Sequence, residues 1–301
     1  MGLFNETYWL PPGIQWSQMP IDARDLLYPV IFTVPMIFLR VLLEAFVAIP
    51  IGHFLGYDKE EISSQIIAHL HGGFVFNTRK KRILECFWRF VYYTSMFIYG
   101  FKTLATKPWL WDIKECWTGY PWQSVDDDTW YYYMISVTFY CSLLIPSFFD
   151  VRRHDYWQMI VHHIIAIILF QLSYIINFVK AAALVNLCHD AADVFIDGWK
   201  LIKYDKSKEA ISNVIFVLFL ICWIVTRLVY FPFVALRSII VDSPSVIRPD
   251  YNFLDPFQTP FAPRIIVYLA CCLLGLHVFW TVIIVKMIYK TATCGEVVDA
   301  R

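Results

Sequence analysis

Charge is scarce in this sequence. Asp, Glu, Lys and Arg make up 17% of its 301 residues, where a soluble domain carries about a quarter. The formal net charge is zero. That balance says nothing about nucleic acid; only the placement of Lys and Arg along the loops is informative. Eight cysteines occur without a CxxC pair or a metal-like spacing, and most lie in apolar runs. They read as small hydrophobes, not as a disulfide framework. No glycine-rich phosphate loop, nucleic-acid motif or internal repeat is found. No basic segment with a cleavage site precedes the first apolar run, so no cleaved signal peptide is expected.

What the chain has instead is apolar residues: 58% hydrophobic and 18% aromatic. They come in blocks of about 20, the length that crosses a bilayer. The runs are 27–51, 84–105, 130–149, 156–177, 179–199, 209–236 and 264–289. The expected fold is an all-α polytopic membrane protein with about seven transmembrane helices. Lys59, Arg79, Lys80, Lys81 and Arg82 lie in the 52–83 loop, Arg152 and Arg153 in 150–155, and Lys200, Lys203, Lys206 and Lys208 in 200–208. Short loops rich in Lys and Arg face the cytosol. These loops, and a tail at 291–301, are therefore expected there. The tail 1–26 and the proline-rich loop 242–263 are expected in the lumen. A luminal N-terminus agrees with the glycosylation sequon at Asn5. Within the first span, Arg40 and Glu44 are one helical turn apart and can pair.

The stretch 156–200 is unusual. Two bilayer-length runs sit back to back, yet they hold His162, His163, His189, Asp190, Asp193 and Asp197. Ionisable groups inside membrane helices are costly and mark functional sites by default. At 1.5 Å per residue, both sets lie roughly 9–15 Å from the cytosolic ends of their helices. His277 in the last span falls at a similar depth, although alone it also fits a packed histidine bonded to a carbonyl. The expected result is a polar chamber open to the cytosol.

Acyl transfer suits such a chamber. One histidine attacks or activates, an aspartate orients it, and another group stabilises the oxyanion. Two other chemistries use the same residues. His and Asp ligate metals, but the spacings of membrane histidine boxes are absent. Buried Asp and His chains also carry protons in transporters, but no inverted repeat is evident.

At these positions the chain resembles the ceramide synthases, members of the TLC membrane-domain family. The motif is His162-His163, Ser173-Tyr174, Asn177, Leu184-Val185 and the HDxxD of His189, Asp190 and Asp193. Trp88-Arg89-Phe90, Thr226 to Val229 with Phe231-Pro232-Phe233, and Leu276 to Trp280 extend it. Lys180, Ala182 and Asp197 depart from the common pattern. The resemblance covers 84–290 and implies six helices of a TLC-type bundle around the chamber. It implies N-acylation of a sphingoid base by a fatty acyl-CoA in the endoplasmic reticulum membrane, without a cofactor. Membrane lipid surrounds the chain, and a homo- or hetero-oligomer is compatible with the resemblance. A histidine acyl-enzyme is the expected route. The catalytic candidates are His162, His163, Asp190 and Asp193. The supporting candidates are His189, Asp197, Tyr174, Asn177, Arg227 and His277. The 52–83 loop is too short for the homeobox-like domain of many members, so DNA binding is not expected. The alternative is a non-enzymatic family member in lipid sensing or transport.

Overall fold

A computed structural model describes residues 5–72, 78–148, 154–203 and 205–294. Arg152 and Arg153, expected to mark a cytosolic loop, lie outside the described residues. The fold is all-α. Eight helices carry the argument: α1 (Ala23–Phe54), α2 (Ile62–Leu70), α3 (Thr78–Ala105), α4 (Asp127–Ser147), α5 (Tyr156–Ile175), α6 (Val179–Ile202), α7 (Glu209–Ile247) and α8 (Ala262–Cys294). Among the described residues, α1, α5, α7 and α8 are long and apolar enough to cross a membrane. The chain is an all-α polytopic membrane protein.

Of the remaining long helices, α6 is mostly buried, while α3 and α4 still expose Ile98, Phe101, Tyr131 and Ile145. α3 packs along α6, and α6 also meets α7. Gly198 of α6 lets α3 approach closely, since a Cβ there would lie 3.1 Å from the Phe90 ring. Gly100 of α3 is tighter still, because a Cβ would meet the Tyr132 ring at 2.6 Å. α1 and α7 expose leucine, valine, isoleucine and phenylalanine along their outer faces. In water such a surface would be a large apolar patch; in a bilayer it is the solvated face.

Both outer helices contain a wide π-type stretch, Glu44–Ala48 in α1 and Ile224–Leu236 in α7. Each lies next to or around a proline, Pro50 or Pro232, whose missing N–H breaks the ordinary ladder. Each also holds a buried charged side chain, Glu44 or Arg227. π-stretches recur at functional sites because the extra residue per turn re-aims side chains.

The two ends of the bundle are built differently. At the end near Tyr156 and Lys200, Arg40 donates to Glu44 at 2.8 Å, so the expected pair forms. His69 of α2 approaches the other oxygen of Glu44 at 3.3 Å, which anchors α2 to α1. Lys80 of the basic run pairs with Asp58 and Glu60. At the opposite end, the loop after α7 wraps around Arg264. Its guanidinium donates to the carbonyls of Asn252, Phe253, Pro256 and Gln258 at 3.0–3.3 Å. One buried cation thus satisfies the carbonyls of a segment with five prolines and little regular structure. The N-terminal segment crosses the same end. Phe261 donates its N–H to the Tyr8 carbonyl at 2.7 Å.

Candidate functional site

Two cavities meet inside the bundle. The first, of about 160 Å³, lies toward the Tyr156 end and is polar. Its walls include Arg89, Asp155, His162, His163, Asp193, Asp197, Arg227 and Trp280. The second, of about 70 Å³, extends toward the opposite end and is apolar. Ala166, Phe170, Ala181, Ala182, Phe231 and Leu273 are among its walls. His162 lines both.

The histidine pair sits in α5. Adjacent positions on a helix point about 100° apart, yet both imidazoles reach the polar cavity. Their ring centroids are 5.5 Å apart, and Tyr140 packs against both, at 6.2 and 6.1 Å. His162 meets Trp280 edge-on at 5.4 Å. Among the described residues, neither Nδ1 has a hydrogen-bond partner.

The carboxylates of α6 divide. Asp193 accepts from Arg227 Nη2 at 2.9 Å. Asp197 accepts a two-pronged contact from Arg89, 3.1 Å to each oxygen, with Lys200 at 3.5 Å. Planar guanidinium groups are suited to such pairing. These two aspartates line the polar cavity. Asp190 does not: it accepts from Asn186 at 3.0 Å and from Tyr132 at 3.4 Å, on the α4 side of α6. Asp190, a catalytic candidate in the sequence, is thus bonded away from the histidine pair. Its nearest donors are an amide one turn earlier and a phenol on α4, so its carboxylate turns toward them.

Arg227 ties three helices together. Besides Asp193 it donates to the His189 carbonyl at 2.9 Å and to His277 Nε2 at 3.2 Å. A guanidinium only donates, so Nε2 of His277 carries a lone pair. His277 is fully buried and acts here as an acceptor for that arginine. Tyr174 and Asn177 lie away from the polar cavity. Tyr174 and Trp130 both donate to Asp25 and hold the start of α1 on the bundle. Asn177 makes the turn between α5 and α6 at φ 59°, a left-handed conformation that asparagine tolerates. Its amide donates to the carbonyls of Pro121 and Gln123 at 2.8 and 2.9 Å. Asn5 caps the first short helix, its Oδ1 accepting from the Thr7 N–H at 3.1 Å and hydroxyl at 2.9 Å.

Three residues of the site went unread in the sequence. Asn186 precedes Asp190 by one turn, a spacing that could have revealed it. Tyr132 offers no signal in an aromatic-rich span. Asp155 begins α5 without capping it, and instead accepts from Trp280 Nε1 at 3.1 Å.

The TLC domain profile matches residues 82–286. Ceramide synthase hyl-1 of Caenorhabditis elegans is 43% identical, over 99% of this chain and 83% of its own length. The chain belongs to the ceramide synthase family of TLC-domain proteins. Ceramide synthase hyl-2 of the same organism is 34% identical, over 98% of this chain and 91% of its own length. Human ceramide synthase 5 is 29% identical, over 98% and 84%. The ceramide synthase likeness thus extends beyond the TLC domain and takes in α1 and α2. The polar cavity draws on that extension, since Arg40 of α1 is among its walls.

Proposed function

We propose that this chain is a ceramide synthase, transferring a fatty acyl group from acyl-CoA to the amine of a sphingoid base. The observation that carries the reading is the position of His162, at the junction of a polar and an apolar cavity. An acyl thioester has the same division: a charged, water-soluble carrier and an alkyl chain. The polar cavity, with Arg89, Lys200 and Arg227 in its walls, suits the carrier end. The apolar cavity suits the chain, which keeps there the alkyl surroundings it has in the bilayer. The thioester carbonyl then falls at the boundary, beside His162.

In the first half of the reaction, the His162 imidazole attacks the thioester carbonyl. The C–S bond breaks and the thiolate leaves, taking up the proton that the imidazole sheds. The acyl-imidazole is then attacked by the neutral amine of the base. The amide C–N bond forms, the bond to the imidazole breaks, and the amine proton returns to the ring. His163 and Asp193 complete the wall around the reacting carbonyl, with Asp193 fixed by Arg227. The reaction takes place in the endoplasmic reticulum membrane, with the polar cavity facing the cytosol and Asn5 glycosylated in the lumen.

The test is conversion of labelled sphinganine by membranes that contain the chain, given a panel of acyl-CoA lengths. New ceramide above control membranes is expected. Lipid flux without a new amide bond would favour the non-enzymatic alternative.

A further inference from the structure

On α6, leaving His162 of α5 aside, the apolar cavity carries two polar atoms that nothing in the described fold accounts for. His189 Nδ1 lies 2.6 Å from the Val185 carbonyl. A carbonyl only accepts, so Nδ1 carries the hydrogen and Nε2 carries a lone pair. That Nε2 is buried without a partner. Asn186 directs its Nδ2 to the Tyr132 hydroxyl, Ser136 and Asp190, at 2.7, 3.1 and 3.0 Å. The Tyr132 hydroxyl donates to Asp190, so it can only accept from Asn186, which fixes the amide orientation. Oδ1 of Asn186 is then also a buried acceptor without a partner. An acceptor left unpaired in the interior is costly. Two, three residues apart on one helix and lining one cavity, point to a ligand that donates.

Their position narrows the ligand. α5 and α6 run in opposite directions through the cavity walls. His162, Asn186 and His189 therefore occupy one end, and Ser173, Phe178 and Ala181 the other. The two acceptors sit at the end where the acyl group would be carried. The thioester carbonyl and alkyl chain have no donor to offer them, and the N–H groups of the carrier belong in the polar cavity. A sphingoid base does, since its head is an amine flanked by hydroxyls. Reactivity decides the form of that amine. An ammonium has no lone pair with which to attack, so the amine that reacts is neutral.

Resting on the ceramide synthase reading, we propose that His189 Nε2 and Asn186 Oδ1 form the subsite for the head of the sphingoid base. His189 accepts an N–H of the neutral amine, which leaves the nitrogen lone pair for the acyl carbon on His162. Asn186 accepts a neighbouring hydroxyl. His189 is thus a substrate-binding residue for the second half of the reaction and plays no part in the first.

The experiment uses the full-length chain in membranes and separates the two halves. His189→Phe keeps an aromatic ring, somewhat larger, and removes the acceptor together with the Nδ1 contact to Val185. Loading of labelled palmitoyl-CoA onto the protein, without base, is expected to stay within about twofold of the original chain. The KM for sphinganine is expected to rise at least about tenfold, the loss of one well-placed hydrogen bond. An unchanged sphinganine KM would overturn the proposal, leaving the two acceptors to water alone. Equal losses in both halves would overturn it too, as a structural effect. The original chain supplies an independent arm. Octadecylamine, which lacks the hydroxyls, is expected to be used at least about tenfold less efficiently than sphinganine, and equal use would also overturn the subsite. Should the original chain make no ceramide at all, the ceramide synthase reading fails, which is a different outcome from any of these.

Discussion

Arg227 donates to Asp193 at 2.9 Å, joining the π-stretch of α7 to the cavity wall on α6. The aspartate of the HDxxD motif is therefore held by an arginine, and the same arginine reaches His277 on α8. Removing one partner of a buried pair leaves the other charge uncompensated, at a cost of about 3–5 kcal/mol. Arg227→Met is expected to lower the thermal stability of the protein as well as its turnover. Asp193→Asn, which keeps the shape, is expected to retain more folded protein while lowering turnover. Thermal melts in detergent alongside activity per folded molecule check both.

His162→Ala is expected to behave differently. Its ring packs against Trp280 and Tyr140, but no hydrogen bond from its Nδ1 holds the fold together. Turnover should fall by more than about 100-fold, the range lost with an acid–base or nucleophilic group. The amount of folded protein should hardly change. Comparing size-exclusion profiles with activity checks this; near-normal turnover would remove His162 from the site.

Tyr174 and Asn177 stand in the same sequence motif as the histidines, yet the expected phenotype is structural. Asn177→Val places a β-branched residue at φ 59° and removes two hydrogen bonds. Branched side chains are strongly disfavoured in that conformation. A loss of a few kcal/mol of stability is expected, with turnover per folded molecule preserved. Denaturant or thermal unfolding of the variant, with activity normalised to folded protein, distinguishes this from a catalytic role.

These cases show what the sequence makes legible. The seven apolar runs fall on long helices, because periodicity and length are local properties. The charges of 156–200 stand out because charge within an apolar run is conspicuous. Which way a side chain turns is another matter. Asp190 and Asp193 are three apart on α6, yet one bonds Tyr132 and Asn186 while the other bonds Arg227. Beyond Asn186, that choice depends on Tyr132 in α4 and Arg227 in α7, each more than thirty positions away. Asn177 and Tyr174 read as site residues from their place in a motif, and only the fold reveals the turn and the Asp25 contact they serve.

Gly100 offers a test of packing around the polar network. In an ordinary helix interior, Gly→Ala stabilises by about 0.8–1 kcal/mol. Here a Cβ would lie 2.6 Å from the Tyr132 ring, whose hydroxyl accepts from Asn186. Gly100→Ala is therefore expected to destabilise the protein and lower turnover. A raised melting temperature would show that α3 and α4 are not this closely packed.

The walls of the apolar cavity should set how much alkyl chain fits. Ala182 lines it on the side away from His162. Ala182→Phe fills part of about 70 Å³ and is expected to shift product toward shorter acyl chains. Lipid mass spectrometry with an equimolar acyl-CoA mixture reads the shift directly.

The central claim is that His162 carries the acyl group between thioester and amine. Peptide mass spectrometry of the purified chain, incubated with acyl-CoA and no sphingoid base, tests it most directly. The expected result is one acyl adduct on the 156–175 helix, at His162, discharged as ceramide when sphinganine is added. An unmodified His162 in a preparation that still makes ceramide from both substrates would contradict it.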